Sequence, residues 1–378
     1  MVHKSSNEQP RGQILVIVAV GLIVFLAMVA LVIDGGHAWA RQRDTQNGTD
    51  AAAEAGTVLL ALNLPYKAAG DVPPNTDAEV LAAVTATATQ NDIDLEEAEY
   101  TSFEGVPLGV MVGDLGSAPP PDAAEGVLAT GSSEFETFLA GVIGFNELTA
   151  TTEANAVAGY IVDVPGDAVI PLTIPVTVPY CDGSGDLQDG VEEWVAGQDY
   201  VIALCKNEAD GNVGWLDWDA GNQDTRTDEC KGNGSSELAC SIEFPNNPPL
   251  SIPGWYSVTE TGNTNSGNVQ GALETWIGRD VLIPIFDATC KDGPLGATKD
   301  CPTVAGNGQN TWYHFQNWVA ITLTGVYVQG SNAPCGASVG AGSGCLTGRF
   351  VNFMGPGLLG GATGEESSLA AVGTQLIR

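Results

Sequence analysis

The feature that most constrains this chain is an uncharged, mostly apolar run of 20 residues, Ile14 to Ile33, near its N-terminus. A helix of about 20 residues crosses the ~30 Å hydrocarbon core of a bilayer. The apolar core of a signal peptide is shorter, about 7–15 residues, and ends at a small-residue cleavage site, which does not follow Ile33 directly. A core helix of a globular protein rarely stays apolar on every face for this length. We therefore predict a retained transmembrane helix over residues 14–33.

The distribution of acidic residues and cysteines predicts the orientation of this span. Its two flanks carry similar numbers of Lys and Arg, so the positive-inside rule leaves the orientation open. Beyond Ile33 lie 45 of the 46 acidic residues and all eight cysteines. An even set of cysteines in a large acidic segment is typical of disulfides formed in an oxidising compartment. We expect a single-pass protein of the cell membrane, with a cytoplasmic N-terminus and an extracytoplasmic C-terminal domain.

The composition restricts the partners and the fold class. The chain carries a formal net charge of −33 over 378 residues, and no basic patch could neutralise phosphates. Nucleic acid is therefore excluded as a partner, and anionic lipid is disfavoured. Gly and Pro are abundant, at 48 and 21 copies, and separate short runs rich in Val and Thr. This pattern is typical of β structure with many turns.

The fold class that we predict is α+β. The segments, in chain order, are a cytoplasmic N-terminus (1–13), the transmembrane helix (14–33), an external helix continuing the span (34–63), a small α/β pilin-like unit (64–165), a β-rich, disulfide-linked, sandwich-like ectodomain (166–355) and a glycine-rich tail (356–378). The external helix is expected to stop at Asn63-Leu64-Pro65, because proline disrupts a helix interior. The tail is expected to be flexible, although its last residues could return as a strand.

Local patterns predict elements within these segments. Thr76 and Glu79 have the spacing of a capping box, which predicts a helix from Ala78 to Gln90. The stretch Glu134–Phe145 predicts a short amphipathic helix, and Glu147–Val164 predicts a long strand. In the β-rich segment, strands are predicted at 200–205, 214–218, 256–260, 281–286, 312–328 and 348–353.

The cysteines indicate disulfides rather than a metal site. They are Cys181, Cys205, Cys230, Cys240, Cys290, Cys301, Cys335 and Cys345. Three neighbouring pairs are 10 or 11 residues apart, so the simplest pairing joins 230 to 240, 290 to 301 and 335 to 345, and leaves 181 with 205. Other pairings stay open, since eight cysteines allow about 105 of them. Zinc is the competing use, but the chain has no C-x-x-C motif and only three histidines.

One acidic stretch resembles a calcium loop. Its oxygen-bearing residues alternate and are followed by Gly190; they are Asp182, Ser184, Asp186 and Asp189. A second acidic cluster comprises Asp217, Asp219, Asn222 and Asp224. Acidic turns without a ligand are common in a chain this acidic, so a purely structural role competes with both sites. We expect no cofactor other than calcium.

The sequence offers no catalytic constellation. It lacks G-x-S-x-G, H-E-x-x-H and Walker motifs. His314 lies in an aromatic stretch and is expected to be a packed core histidine. Eight aromatic residues are expected to pack in the core, with a sugar-binding face as the alternative; they are Trp215, Trp218, Trp255, Tyr256, Trp276, Trp312, Tyr313 and Trp318. We therefore predict that the protein is not an enzyme.

A patterned block surrounds the apolar run. It has R-G-Q before the run, an aspartate and glycine after it, and a polar helix ending in D-A-A-A-x-A-G. This block resembles the Flp pilus-assembly TadE/TadG-like family. The positions that match the family pattern are Gly12, Asp34, Gly35, Gln46, Asp50, Ala51, Ala52, Ala53, Ala55 and Gly56. Glu54 stands where the family usually has leucine, and residues 138–159 resemble longer members of the group.

The resemblance implies a membrane-anchored component of a tight-adherence pilus, and no known chemistry. Relatives of the pilin class are cut after a glycine and carry a glutamate five positions into the mature helix. Cutting after Gly12 would place Ile17 at that position, so we expect the N-terminus to stay uncut. Some larger relatives carry a von Willebrand-type domain with a D-x-S-x-S site, but the stretch Asp182–Asp186 ends in aspartate and does not match.

The sequence thus predicts a structural or assembly component of a Flp/Tad-type pilus or related surface apparatus. The expected partners are the membrane, other pilus-assembly or pilin-like proteins, and further copies of this chain. They would pack against the N-terminal helix through small residues, namely Ala19, Gly21, Ala27 and Ala30. Two alternatives remain, a cell-surface adhesin or carbohydrate-binding protein and a processed pilin-like filament subunit. A hydrolase is a third, without a supporting motif.

Overall fold

A computed structural model of the protein describes residues 13–164, 169–182, 187–188, 190–205, 214–216, 230, 234–245, 250–256, 266–291, 311–328, 335–336, 344–355, 357–361 and 369–377. The helices are α1 (Gln13–Ala69), α2 (Asp77–Gln90), α3 (Ser235–Glu243) and α4 (Gly267–Glu274). The strands are β1 (Asp94–Thr101), β2 (Pro107–Met111), β3 (Gly126–Glu136), β4 (Glu147–Asp163), β5 (Leu172–Pro175), β6 (Tyr180–Cys181), β7 (Leu187–Gln188), β8 (Asp199–Leu204), β9 (Gly214–Trp215), β10 (Gly254–Tyr256), β11 (Asp280–Lys291), β12 (Thr311–Tyr327), β13 (Gly344–Val351), β14 (Leu358–Gly360) and β15 (Val372–Ile377).

Helix α1 is continuous over 57 residues. It therefore joins the predicted span and the predicted external helix without a break, and it runs past the expected stop at Pro65 to Ala69. Tertiary contacts hold this last part in place. The buried side chain of Asn63 exchanges hydrogen bonds with the backbone of Asn75, and the Tyr160 hydroxyl donates to the Leu64 carbonyl. These contacts offset the hydrogen bond that proline removes from the helix.

The first sheet is antiparallel and has the strand order β14-β4-β3-β1-β2, with β15 also pairing with β4. Helix α2 and residues 34–69 of α1, the packed half of α1, cover it. Helix α2 begins with the predicted capping box, since Thr76 Oγ1 accepts from the Glu79 N–H and the Glu79 carboxylate accepts from the Thr76 N–H. The core between these helices and the sheet contains Leu60, Leu64, Val80, Val84, Tyr100 and Val127.

The second sheet has the order β8-β13-β12-β11-β5-β9, with β10 pairing with β12. Its pairs are antiparallel except β5 with β11. Apolar residues of α3 and α4, including Leu238 and Leu273, pack with Ile283 of β11 in one core. The α+β class is thus confirmed. The sandwich-like arrangement predicts a second sheet on this side of the sheet, but α3 and α4, two helices that the sequence pattern does not predict, pack there instead. The opposite side meets the first sheet, where Ile161 of β4 shares a core with Phe315 and Trp318 of β12.

Two segments differ from their predicted structure. The predicted helix Glu134–Phe145 is wrong, because Glu134–Glu136 completes β3 by pairing with β4, and only Ala140–Ile143 forms a short 3-10 turn. In the segment expected to be a flexible tail, Leu358–Gly360 pairs with β4. Val372–Ile377 also pairs with β4, which is the return strand that the sequence left open. In each case hydrogen bonds to a distant strand outweigh the local preference of the sequence.

Disulfides hold the β-rich part together. They join Cys181 to Cys205, Cys230 to Cys240, and Cys335 to Cys345, the same pairs that the spacing of the cysteines favoured. Cys290 is also disulfide-bonded, while Cys301 lies outside the described residues. Cross-links that close short loops of this kind stabilise a domain by about 2–4 kcal/mol each.

Candidate functional site

The first functional element is the apolar half of α1, Ile14–Ile33. Its large apolar side chains are 45–76% exposed, except for Val29, which is half-buried. A core helix of a soluble protein would be mostly buried, so this alternative does not fit. In the described part of the chain, α1 alone is both long and apolar enough to cross a membrane.

The packed half of α1 binds β4 through a row of polar side chains. Four polar residues on one side of the helix face the strand. They are Gln42, Gln46, Thr49 and Thr57. The side-chain amides of Gln42 and Gln46 donate to the carbonyls of Thr151 and Glu153, at 3.0 and 3.1 Å. Deeper in the contact, the one proton of the Thr57 hydroxyl is shared between two carbonyls, that of Ala53 in the helix at 2.9 Å and that of Ala156 in the strand at 3.1 Å. The helix and strand are therefore held in one register along most of the packed half.

Small residues bring α1 and β4 close enough for these hydrogen bonds. Ala53 is fully buried in a cluster with Ala129, Ala154 and Ala156. A side chain at Gly56 would be crowded, because its Cβ would lie 2.6 Å from Val84 Cγ2. A larger residue at Ala53 would push the helix away from the sheet, and one at Gly56 would push it away from α2. The alanine- and glycine-rich end of the N-terminal block is thus explained by packing within the chain.

The end of the apolar half is fixed to a distant loop by Asp34. Its side chain is buried and accepts the backbone N–H groups of Phe138, Leu139 and Ala140, at 2.8, 3.0 and 2.5 Å. Burial raises the pKa of the Asp34 carboxyl, but these N–H donors and the nearby His37 outweigh it and hold the pKa below its usual range. Asp34 is therefore an ionised clamp on the loop between β3 and β4.

Sequence reasoning identified Asp34 as a family position but missed its partner. The sequence pattern predicts a helix where this loop lies, and Asp34 and Phe138 are 104 positions apart. The sequence shows two features that bear on this contact: a single carboxylate directly after an apolar run, and the apolar stretch F-L-A-G-V-I-G-F at residues 138–145. Nothing in one sequence links the two.

Comparison with known families bears on this same helix. Residues 12–63 match the family model described as Flp pilus-assembly TadE/G-like. The N-terminal segment therefore resembles this family. The match covers the whole apolar half of α1 and most of its packed half, and with the exposed apolar surface it indicates a membrane anchor. No curated protein and no solved structure matches the chain.

The remaining TadE/G-like positions have distinct environments. Gln46 Nε2 donates to Asp50 Oδ1 at 2.7 Å, one turn away on the helix. Glu54 is exposed, so the carboxylate that replaces the usual leucine stays in water. Ala52 is buried in the core with α2, whereas Ala51 and Ala55 are half-buried. Gly12 lies outside the described residues.

An open cleft of about 820 Å³ lies beside the TadE/G-like segment. Its lining includes the carboxylates of Asp50, Glu104 and Glu153, and none of its lining residues is basic. An anionic ligand would be repelled here.

The predicted calcium sites fall largely outside the described structure. Asp182 directly follows β6, but Ser184, Asp186 and Asp189 are not among the described residues, and neither is any member of the cluster at 217–224. No group of three or more potential metal ligands occurs among the residues that the structure does describe. Calcium binding therefore stays a prediction.

His314 is packed in the second sheet. Its Nδ1 lies 2.6 Å from Asp287 Oδ1 on the neighbouring strand, and both side chains are less than 10% exposed. The ring of Trp255 lies against it, with centroids 5.2 Å apart. Trp215, Tyr313 and Trp318 are buried as well. These side chains pack the core, and none of the three offers a face to a sugar.

Proposed function

We propose that this protein is a membrane-anchored structural component of a Flp/Tad-type pilus or related surface apparatus. In this proposal the apolar half of α1 crosses the cell membrane with the N-terminus in the cytoplasm, and both sheets lie outside. The observation that carries it is the continuity of α1 from an exposed apolar surface into a helix packed on β4. The role is structural, in keeping with the TadE/G-like match.

The continuous helix would act as a rigid support. At a rise of about 1.5 Å per residue, the part from Ile33 to Ala69 spans roughly 54 Å. The first sheet is bound along this length, and the second sheet shares a core with the first. The whole acidic, disulfide-linked domain would therefore be presented at a fixed height above the membrane, where other components of the apparatus can reach it.

Glycines on the exposed side support lateral packing with a second helix. Around Gly21, Gly35 and Gly36, no described atom outside the local helix backbone lies within 4 Å of a Cβ built there. Glycine in a helix costs about 0.5–1 kcal/mol relative to alanine, so these positions lack a reason within the chain. They lie within about 100° of one another around the helix axis, on a side that lets another helix approach closely. Other pilin-like chains, or copies of this one, are the proposed occupants.

The intact mass of the native protein, measured in membranes and in mechanically sheared surface material, tests this proposal. We expect an uncut chain that is confined to membranes, because Ile17 stands where processed relatives carry glutamate. A chain beginning at Gln13 in sheared filaments would contradict the anchored role and identify a processed filament subunit. External protease treatment of intact cells tests the orientation, since only an outward-facing domain would be degraded.

A further inference from the structure

We propose that the loop between β3 and β4 is a second membrane contact, which inserts its apolar side chains into the interfacial layer of the bilayer that α1 spans. We call residues 138–145 the membrane loop. The inference rests on the anchoring of α1 proposed above and adds a lipid-binding surface to it. Asp34 is the positioning residue that holds the loop at the depth of the membrane surface.

The membrane loop exposes large apolar side chains. Phe138 and Phe145 are 65% and 63% exposed, and Leu139 is 37% exposed. Single exposed apolar residues are common, but two phenylalanines and a leucine within eight positions form a patch that water solvates poorly. The loop contains a 3-10 turn and a left-handed Gly144 with φ 98°, which turn the chain back so that the patch forms its tip.

The position of the loop identifies what covers it. Asp34 directly follows the last residue of the apolar half, and its carboxylate is within hydrogen-bond distance of three backbone N–H groups of the loop. The His37 ring, one turn further, lies 5.0 Å from the Phe138 ring and 5.2 Å from the Phe135 ring. The apolar tip thus lies beside the end of α1 that would leave the hydrocarbon. Because the loop is hydrogen-bonded to the residue that directly follows the span, the bilayer that receives the span also reaches the loop.

Neighbouring residues have the chemistry of a membrane interface. Trp39, five residues beyond Asp34, is 65% exposed, and the guanidinium of Arg43 lies over its ring at 5.1 Å. Tryptophan and arginine are enriched where a helix leaves a bilayer. The flanks of the loop carry Glu134, Glu136 and Glu147 and no basic residue from 134 to 148. Insertion would therefore rest on apolar contact and be independent of anionic lipid.

A second contact would change what the anchor does. A single helix can rotate about its own axis and tilt in a bilayer. A loop clamped to one side of the helix, with its tip in the interface, fixes both the rotation and the tilt. The side of α1 that bears Gly35 and Gly36 would then face along the membrane in a defined direction.

Depth-dependent fluorescence quenching in vesicles tests the proposal. The full chain is reconstituted into phosphatidylcholine vesicles containing spin-labelled lipids, with one added cysteine carrying an environment-sensitive dye. All of the described cysteines are in disulfides, so they do not compete with the added thiol for the dye. The loop variants are Phe138→Cys and Phe145→Cys. Leu22→Cys, in the apolar half, is the control for anchoring, and Val72→Cys, 82% exposed beyond the far end of α1, is the control for water.

We expect the loop dyes to be quenched by lipids labelled near the headgroup, the Leu22 dye by lipids labelled deep in the chain, and the Val72 dye by neither. Loop dyes that behave as at Val72 while the Leu22 dye is quenched would overturn the membrane loop and leave the anchor intact. An unquenched Leu22 dye would overturn the anchoring itself. If the fluorescence of the loop dyes changes with protein density but is not quenched by labelled lipids, the patch binds a second copy of the chain. If the loop dyes are quenched only when anionic lipid is added to the phosphatidylcholine vesicles, apolar insertion is contradicted.

A variant without the Asp34 carboxylate tests whether Asp34 positions the membrane loop or whether the exposed apolar side chains insert without it. Asp34→Ala should abolish headgroup-level quenching at Phe138→Cys and leave the Leu22→Cys signal unchanged. Asp44→Ala removes an exposed carboxylate from the same helix and should change neither. Unchanged loop quenching in Asp34→Ala would show that Asp34 does not position the loop.

Discussion

The hydroxyl oxygens of Thr49 on α1 and Thr152 on β4 lie 2.7 Å apart in a buried contact between helix and sheet. Thr49 already donates its proton to the Thr45 carbonyl at 2.9 Å, so Thr152 is the donor of the pair. This directionality makes the two residues unequal. Loss of Thr49 leaves the Thr152 proton without the acceptor that the structure gives it, whereas loss of Thr152 leaves Thr49 with its own acceptor.

We expect Thr49→Val to lower the free energy of unfolding by about 1–3 kcal/mol, because it strands a buried donor. Thr152→Val should cost less, about 0.5–1.5 kcal/mol, and the double variant should recover part of the loss. Denaturant unfolding in detergent micelles, followed by circular dichroism, measures all three. Thr89→Val is the control, since that exposed threonine bonds only within α2. Equal losses for the two single variants would contradict the assigned direction.

The helix glycines should divide into two classes. Gly56→Ala places its Cβ 2.6 Å from Val84 Cγ2, so we expect a loss of about 1–3 kcal/mol in unfolding free energy despite the better helix propensity. Gly36→Ala meets no described atom outside its own helix and should gain up to about 1 kcal/mol. The same micelle unfolding experiment compares them. If Gly36 packs on another helix in the membrane, Gly36→Ala should also reduce recovery of cross-linked assemblies, and an unchanged recovery would count against that packing.

The clamp at Asp34 should open in acid. Its pKa is depressed in the folded chain, so its contribution to stability is present above the unfolded pKa of about 3.9 and is lost as pH falls through the lower folded value. We expect the environment of a dye at Phe145→Cys to stay constant from neutral pH down to about pH 4 and to change below it. The Asp34→Ala background should lack this transition, and the Asp44→Ala background should keep it. A transition common to all three would assign it to other carboxyl groups.

The disulfides should contribute according to the loop that each closes. Cys181–Cys205 spans 24 residues and Cys230–Cys240 spans 10. In the chain-entropy model, replacing the first pair by serine should cost about 0.8 kcal/mol more than replacing the second, within a total of roughly 2–4 kcal/mol each. Both pairs lie in the β-rich part, so contacts between α1 and β4 should persist in either variant. A larger loss for the 10-residue loop would show that strain or packing, rather than loop entropy, dominates.

The features that follow from local patterns are the ones that the sequence predicts. The apolar run and the capping box of α2 are local patterns of the N-terminal half, and the spacing of the cysteines is a local pattern of the β-rich part; each acts on residues close in sequence. The TadE/G-like positions were recognisable as well, but their reasons were not: Gly56 is required by Val84, and Ala53 by the alanines of β3 and β4. The sequence shows which residues occupy these positions, but it does not show which residues they contact.

The sequence by itself determined that this chain carries a membrane-length apolar helix, an acidic and disulfide-linked remainder, and a TadE/G-like N-terminal segment. Only the tertiary structure decided that α1 passes Pro65, that Glu134–Glu136 is strand, that the C-terminal residues return to β4, and that Asp34 holds the loop at Phe138. The physical reason is range. Composition and periodicity act over one or two turns of chain, whereas these features rest on hydrogen bonds and apolar contacts between segments far apart in sequence, whose energies outweigh the local preference.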